Sequence, residues 1–528
     1  MRNVLCGIAA LVAASIGLSA GHSRPPAIER RDQVEQLVVD GHPFLILAGE
    51  LGNSAASSRA YMQPIWPKLK QLNLNTVLAP VSWELIEPQE GRFNFSSVDE
   101  LLADARAHDM RLVILWFGAW KNSMSSYVPG WVKRDQARFP RVRLQDGTSA
   151  EILSAFSDQS LAADKKAFAT LMRHLKRVDG DQNTVLMVQV ENEIGMILAA
   201  REHGPEANRL FGGSVPETLR RLRGNRNPGS WTQVFGPGPA TEEIFTAWHY
   251  GRFVEELTRA GKAEYNLPMY VNAALNRPGA LPGAYPSGGP LPHLLDIWTA
   301  AAPSLDMLSP DIYFQNFTEL AAKYPRPDNP LFIPEANRPD REDVVGNAFW
   351  SFGAGRAIGY SPFAIDSIGD PSAHPLRQAY AALDSISPLI LEAQARGTIR
   401  GFKAPIAYDG TVDPSPQQVR LGGYAFDVAL VDMWTPKEQQ KLENHGGVLL
   451  QLGPDEFLAV GQGVILTFAP DSPVKGKVGI ESAWEGRFHE GRWVPGRLLN
   501  GDETHQGRHV RLPPGPVTMQ RVRLYRYN

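Results

Sequence analysis

Cysteine is almost absent from this chain of 528 residues, since Cys6 is the only one. It lies in a run from Val4 to Leu18 that is almost wholly apolar, preceded by the basic Arg2 and followed by small residues up to Gly21. These features are typical of a secretory signal, so we expect residues 1–20 to be removed and the protein to be exported to the periplasm or the cell exterior. The mature chain would then lack cysteine, which excludes disulfides, thiolate catalysis and Cys-ligated zinc.

An excess of charge of one sign is also missing. Lys and Arg number 53 against 56 Asp and Glu, a formal charge of −3, and no run is rich in Lys or Arg. A nucleic-acid partner is therefore not expected. No later run approaches the ~20 apolar residues that span a bilayer, so we expect no membrane insertion. The length predicts two or three domains, and the sequence does not specify an oligomeric state.

Short apolar or β-branched runs alternate with helical patterns over residues 35–395. This alternation is typical of βα units around a parallel sheet. Eight runs read as strands, and they begin at Phe44, Thr76, Leu112, Thr184, Met269, Met307, Leu331 and Ile358. Eight such units predict an α/β fold, a (β/α)8 TIM barrel, although a doubly wound sheet gives a similar count. The glycine-rich run 353–359 reads as the loop into the eighth strand, because a dinucleotide motif must follow a strand and open a helix.

The pattern changes after the barrel. From residue 400 to 528, short strand-like runs are separated by turn residues, and no helical period intervenes. We therefore expect an all-β, sandwich-like C-terminal domain beside the barrel.

Two of the predicted barrel strands end in acidic residues. The fourth leads into Glu191, Asn192 and Glu193, and the seventh leads through Pro334 into Glu335. The active site of a TIM barrel lies at the carboxyl ends of its strands. Burial of an acid at such a position is costly unless it is paired or functional, so these residues are the candidates for chemistry.

The motifs around these acids resemble a known enzyme family. They are VQVENEIG at Val188–Gly195, WELIEP at Trp83–Pro88, GRFNF at Gly91–Phe95 and FIPE at Phe332–Glu335. The chain is similar to the family 35 β-galactosidases, of the bacterial branch with a β-rich C-terminal domain, within the clan of retaining (β/α)8 glycosidases. The resemblance covers roughly residues 35–395. It implies that Glu193 is the general acid/base, that Asn192 donates to the sugar 2-hydroxyl, and that Glu335 is the nucleophile.

The choice between Glu191 and Glu193 rests on the family pattern, because strand alternation points both side chains the same way. In a retaining glycosidase one carboxylate attacks the anomeric carbon and the other protonates the leaving oxygen. We expect neighbouring negative charge to raise the pKa of Glu193 and keep it protonated. The expected activity is a retaining, exo-acting β-galactosidase that releases terminal galactose from oligosaccharides and requires no metal or cofactor.

Other candidate ligand contacts follow the predicted strand ends. Trp83, Trp120 and Tyr313 are candidates to stack on a sugar, whereas Trp116, within a strand, is expected in the core. A tyrosine near the position of Tyr313 hydrogen bonds the nucleophile in related barrels. Polar candidates for the sugar hydroxyls are Glu50 and Asn122, for which simple solvation is an equal alternative.

The third strand departs from the family pattern. The family usually carries an Asn/Cys-Ala-Glu triplet there that helps to hold galactose, and this chain has Gly118-Ala119-Trp120-Lys121-Asn122. Two alternatives therefore stay open. Beside the expected β-galactosidase, these are a β-glycosidase for another sugar on the same scaffold and a carbohydrate-binding barrel without turnover.

Overall fold

The computed structural model describes residues 24–225, 227–471 and 476–528. The predicted signal segment, residues 1–20, lies outside these ranges. Among the helices of the described ranges, none combines the length and the apolar character needed to cross a membrane.

Eight parallel strands close into a barrel in sequence order, the eighth pairing with the first. In chain order they are Ile46–Glu50, Thr76–Ser82, Arg111–Lys121, Val185–Asn192, Met269–Ala274, Met307–Ile312, Phe332–Ala336 and Gly359–Pro362. The predicted TIM barrel is thus confirmed, and the doubly wound sheet is excluded. A three-stranded antiparallel ribbon precedes the barrel, with strands Ala27–Arg31, Val34–Val39 and His42–Pro43.

Helices surround the barrel and separate its strands. The longer ones are Ser96–Ala107, Asp158–Asp179, Pro239–Glu264, Val344–Gly353, Pro375–Ser385 and Ser387–Arg396. Shorter ones are Arg59–Met62, Trp66–Gln71, Trp83–Ile86, Gly130–Arg134, Leu295–Ala301 and Phe317–Ala321. The barrel interior is apolar, since Leu78, Val113, Met187, Tyr270 and Phe332 pack together inside it. This packed interior leaves the chemistry to the strand ends.

Two segments differ from the sequence-based expectation. The third strand continues to Lys121, several residues past the apolar run that predicts it. The stretch 204–240, which reads as an inserted loop, contains three short helices, Pro205–Gly212, Glu217–Leu222 and Trp231–Phe235. Its glycines and prolines flank these helices rather than forming a continuous loop.

The C-terminal region consists of two antiparallel sheets, as predicted. The six-stranded sheet has the spatial order Ile399–Lys403, Gly446–Gly453, Glu456–Gln462, Thr518–Tyr527, Lys477–His489, Arg492–Leu499. The four-stranded sheet has the order Gln417–Leu421, Tyr424–Ala429, Val464–Pro470, Val510–Leu512. Side chains from both sheets, including Phe426, Leu449 and Leu466, form one core between them.

The larger sheet also packs on the barrel. Leu449 faces the sandwich core, and its neighbours Val448 and Leu450 belong to the core that the barrel helices share. This alternation follows from the period of two in a strand. At this contact a Cβ atom added to Gly353 would lie 2.5 Å from the Cα atom of Gly401, so the two backbones touch. The C-terminal domain is therefore held firmly against the barrel.

Candidate active site

Four carboxyl groups meet at the carboxyl ends of the barrel strands. Glu193 follows the fourth strand, and Glu50, Asp311 and Glu335 lie on the first, sixth and seventh. Three of them, Glu193, Asp311 and Glu335, each offer one oxygen within 4.8 Å of the other two. All four side chains are buried. The fold thus brings the two predicted catalytic glutamates together and adds two carboxyl groups beside them.

The backbone separates Glu191 from Glu193. Both residues have positive φ values, 62° and 44°, a conformation that costs energy for side chains other than glycine. The positive φ values interrupt the strand alternation, which would otherwise direct both side chains the same way. Glu191 accepts from the backbone N–H of Trp120 at 2.7 Å and hydrogen bonds Asp164 under the third strand. Glu193 is directed to the carboxyl cluster instead.

Glu193 is held on several sides. Its carboxylate accepts from the Asn122 amide, and its backbone carbonyl accepts from the Ser123 hydroxyl at 3.0 Å. Its backbone N–H donates to Asn272 Oδ1 at 2.8 Å, and the amide of Asn272 donates to Asp311 at 2.5 Å. The fifth strand therefore couples the position of Glu193 to that of Asp311.

Glu335 has its own set of partners. The hydroxyl of Tyr313 donates to its carboxylate, and the carboxyl of Glu50 lies beside it on the first strand, two strands away around the barrel. Tyr313 is 37 % exposed, whereas Glu335 is 3 % exposed. One edge of the cluster therefore reaches solvent at Tyr313.

Similarity to known proteins agrees with this arrangement. The profile of glycosyl hydrolases family 35 matches residues 36–221, which span the first four barrel strands and Glu193. A domain of unknown function, DUF5597, matches residues 376–511. The first half of the barrel is thus similar to the glycosyl hydrolases of family 35.

Two proteins with assigned names are similar to part of this chain. A β-galactosidase of Xanthomonas manihotis is 28 % identical over 170 residues, which is 31 % of this chain and 26 % of that protein. The human β-galactosidase-1-like protein 3 is 30 % identical over 189 residues, 34 % of this chain and 25 % of that protein. The chain thus covers about a quarter of the length of either relative. A β-galactosidase structure from Marinomonas ef1 aligns over 66 % of this chain and 62 % of its own, with 11 % identity and a TM-score of 0.49.

The candidate site also contains a buried lysine. Lys121 lies on the third strand, 4 % exposed, and its Nζ atom donates to Asn192 Oδ1 at 2.9 Å. An ammonium group has no acceptor, so the amide oxygen of Asn192 must face it. The Nδ2 atom of Asn192 has no partner among the described residues. Lys121 therefore fixes which end of the Asn192 amide is available to a ligand.

Burial dominates the titration of the two catalytic candidates. It raises the pKa of Glu193, against the opposing effects of Lys121 and of hydrogen bonds from Asp311 and Asn122. The cause expected from the sequence, neighbouring negative charge, is wrong for this residue. Burial, and then the charge of Glu193, raise the pKa of Glu335 to about 7.

Glu50 and Asp311 flank this pair of glutamates. Burial and the charge of Glu335 raise the pKa of both Glu50 and Asp311 well above the usual range. A raised pKa favours the protonated form of each group, in which Glu50 can donate toward Glu335 and Asp311 toward Glu193. The spacing of Glu193, Asp311 and Glu335 would also suit a divalent cation. The ammonium of Lys121 acts on the same carboxyl groups and offsets part of their negative charge.

Two predicted stacking residues do not reach the site. Trp83 is fully buried, with its Nε1 atom donating to Glu87 at 2.8 Å. Trp120 is also fully buried, against Tyr250 and Phe253 of the helix Pro239–Glu264. The reason for Trp120 is that the third strand continues through it, so alternation directs its ring outward and Lys121 inward. Both tryptophans are core residues in this structure.

The remaining predicted positions are found as follows. Trp116 is buried against Phe168 in the core, as expected. Asn192, Asn122, Tyr313 and Glu50 all contact one of the catalytic candidates or Lys121.

Sequence reasoning missed three polar residues of the site, namely Lys121, Asn272 and Asp311. Each interrupts an apolar run at the carboxyl end of a barrel strand. That position was the available signal, since polar groups are rarely buried there without a partner.

A cavity of about 960 Å³ lies at the other end of the barrel. Its lining includes Arg31, Lys70, Asn75, Arg111 and Asp384, at the amino ends of the strands and the helices around them. None of the four clustered carboxyl groups lines it. Because TIM-barrel chemistry is located at the carboxyl ends, the carboxyl cluster, and not this cavity, is the candidate active site.

Proposed function

We propose that this protein is a retaining glycoside hydrolase that removes terminal β-galactosyl residues from oligosaccharides. The observation that carries the proposal is the pair Glu193 and Glu335, buried at the ends of the fourth and seventh strands with oxygens no more than 4.8 Å apart. Retaining enzymes hold their carboxyl groups about 5–5.5 Å apart, whereas inverting enzymes need about 6.5–9.5 Å for an intervening water. The short separation supports double displacement.

In the first step Glu335 attacks the anomeric carbon, and the leaving oxygen takes a proton from Glu193. The raised pKa of Glu193 favours the protonated form that this step needs. The hydroxyl of Tyr313 favours ionised Glu335, because it donates to that carboxylate. The two acids titrate as a coupled pair, so one proton on Glu193 and a charge on Glu335 define the reactive form.

In the second step a water attacks the glycosyl-enzyme, and Glu193 takes its proton. Loss of the Glu335 charge in the ester removes one cause of raised pKa values in the cluster. Asn192 presents its free amide N–H groups to the substrate, and the family resemblance assigns them to the sugar 2-hydroxyl. The raised pKa values of Asp311 and Glu50 favour their protonated forms, which can donate to the two reacting carboxylates.

The sequence of the third strand supports a second candidate function, with specificity for a sugar other than galactose. The names of the two relatives support galactose, but Lys121 occupies the strand that carries the galactose-holding triplet in the family. A β-glycosidase for a different terminal sugar is therefore the second candidate.

A panel of nitrophenyl β-glycosides tests the function. We expect the β-galactoside to be hydrolysed fastest, and NMR of the first-formed sugar to give the β-anomer. An initial α-anomer would mean inversion and would refute double displacement. Faster hydrolysis of another glycoside would select the second candidate, and saccharide binding without hydrolysis of any panel member would leave a carbohydrate-binding barrel.

Export is part of the proposal. The apolar run of residues 4–18 followed by small residues supports a mature protein that begins near Gly21, in the periplasm or outside the cell. Mass spectrometry of the protein from these fractions tests it. Intact Met1 in cytoplasmic protein would contradict export.

A further inference from the structure

We propose that the C-terminal domain completes the substrate cleft, with Tyr408 as an aromatic platform for the sugar on the leaving-group side of the scissile bond. The inference rests on the proposed glycosidase function and deepens it. It gives a role to the region that matches the domain of unknown function, residues 376–511.

The platform lies at the tip of a short hairpin, residues 404–413. The N–H of Ala407 donates to the carbonyl of Thr411 at 2.8 Å, and Gly410 N–H donates to the carbonyl of Ala407 at 2.9 Å. Asp409 Oδ1 accepts from the N–H of Thr411 at 3.0 Å. Gly410 has a φ of 90°, which suits glycine. The tip that presents Tyr408 is therefore a defined turn.

This tip contacts the barrel at the exit of the sixth strand. The ring of Tyr408 lies 5.3 Å from that of Phe314, centroid to centroid. A Cβ atom added to Gly410 would be 2.8 Å from Oε1 of Gln315. The hairpin thus rests on the two residues that directly follow Tyr313.

Tyr313 connects this contact to the chemistry, because its hydroxyl donates to Glu335. Its ring is 37 % exposed, and the ring of Tyr408 is 43 % exposed. Two solvent-accessible tyrosines therefore flank the half-buried Phe314 at the rim beside the nucleophile.

A second contact holds the same domain at the loop after the seventh strand. Lys441 pairs with Glu342 at 2.7 Å, and the buried Lys403 donates to Asn347 at 2.5 Å. The C-terminal domain consequently contacts the segment that follows the seventh strand, which carries Glu335, as well as Phe314 after the sixth strand.

The position of the Tyr313 and Tyr408 rings indicates which part of the substrate would contact Tyr408. The terminal sugar must enter the buried carboxyl cluster, so the rest of an oligosaccharide has to leave the pocket toward the exposed rim. An aromatic ring offers an apolar face that complements the C–H face of a pyranose, and binding sites combine such faces with a few polar groups. Tyr408 lies where the second sugar of the chain would pass.

The test compares two substrates with the same terminal sugar. A β-glycosyl fluoride places no sugar on the leaving side, whereas a β-linked oligosaccharide does. We expect Tyr408→Ala to lower kcat/KM for the oligosaccharide about tenfold, the size of one good aromatic contact, and to leave the fluoride unchanged. Tyr408→Phe keeps the ring and should keep the activity.

Tyr525→Ala is the matched control, because Tyr525 is 46 % exposed on the same domain and stacks on Tyr527. It should change neither rate. Equal losses on both substrates, no loss for Tyr408→Ala, or a loss for Tyr408→Phe as large as for Tyr408→Ala would each overturn the platform. Wild-type enzyme that hydrolyses neither substrate would refute the proposed function and the platform with it, whereas normal hydrolysis of both by Tyr408→Ala would refute the platform alone.

Discussion

Lys121 donates to Asn192 across the base of the carboxyl cluster, with 2.9 Å between Nζ and Oδ1. This contact orients the amide of Asn192 and places a cation among Glu50, Glu193 and Glu335. Lys121 lies in the third-strand segment that differs from the galactosidase triplet, so this difference in sequence directly changes the contacts within the site.

Lys121→Met should lower kcat/KM by about 10- to 100-fold, the usual value of a hydrogen bond to a charged group. Loss of the ammonium removes an effect that lowers the pKa of both Glu193 and Glu335. Both limbs of the pH profile of kcat/KM should therefore move to higher pH. The variant should also discriminate less between a glycoside and its 2-deoxy analogue, because Asn192 is no longer fixed.

Lys437→Met serves as the control, since Lys437 is exposed on the C-terminal domain. A Lys121→Met profile that keeps its wild-type limbs would contradict the electrostatic role. Retained discrimination of the 2-deoxy substrate would contradict the orienting role.

Substitutions of Glu335 and of Glu193 should each impair a different step of the reaction. Glu335→Ala should form no glycosyl-enzyme, and azide should restore turnover by direct attack and give an α-glycosyl azide. Glu193→Ala should lose about 10²–10⁴ in rate on substrates with poor leaving groups. It should still show a burst with a dinitrophenyl glycoside, and azide should then give the β-glycosyl azide.

Glu191→Ala provides the comparison on the same strand. Glu191 accepts from the N–H of Trp120 and hydrogen bonds Asp164, so its loss leaves buried groups unpaired at a cost of about 1–3 kcal/mol. We expect a lower melting temperature, only about a tenfold loss of rate, as for outer partners of a reacting group, and no azide product. Azide rescue of Glu191→Ala together with an active Glu193→Ala would reverse the assignment.

Tyr313→Phe tests the hydrogen bond from Tyr313 to Glu335. The hydroxyl lowers the pKa of Glu335, so its removal should raise that pKa further above about 7 and shift the acidic limb of kcat/KM to higher pH. We expect a rate loss of about 10- to 100-fold at neutral pH, partly recovered at higher pH. A uniform loss with an unchanged pH profile would mean that Tyr313 only shapes the pocket.

The free energy of unfolding should fall between pH 5 and pH 8, and the carboxyl group of Glu202 is one cause that can be tested by itself. This buried carboxyl hydrogen bonds the Ser154 hydroxyl at 2.8 Å, and burial raises its pKa from 4.5 to about 7. The folded state binds this proton more tightly than the unfolded state does. The contribution of Glu202 to the free energy of unfolding, on the order of 3 kcal/mol, is therefore complete below about pH 4.5 and is lost as the pH rises through 7.

Glu202→Gln remains neutral and should therefore lose less stability than wild type between pH 5 and pH 8, as measured by thermal melting. Glu29→Gln, at an exposed position, should follow the wild-type curve. Identical pH dependence of Glu202→Gln and wild type would refute the assignment to Glu202.

The sequence alone determined the architecture of this protein. Alternating apolar runs and helical periods locate all eight barrel strands, because burial on both faces of a parallel strand requires a nearly continuous apolar run. The change to short strands after residue 400 likewise predicts the antiparallel sheets. The family motifs identify Glu193 and Glu335, and strand ends identify Tyr313, Glu50 and Asn122.

Tertiary structure decided what periodicity could not. The positive φ values at Glu191 and Glu193 separate two side chains that alternation places together. The third strand extends to Lys121 because the fourth strand pairs with it there, and that extension turns Trp120 outward. The contact of Tyr408 with Phe314 joins residues 94 positions apart in two domains. Such relations arise from packing between distant segments, which local sequence patterns do not encode.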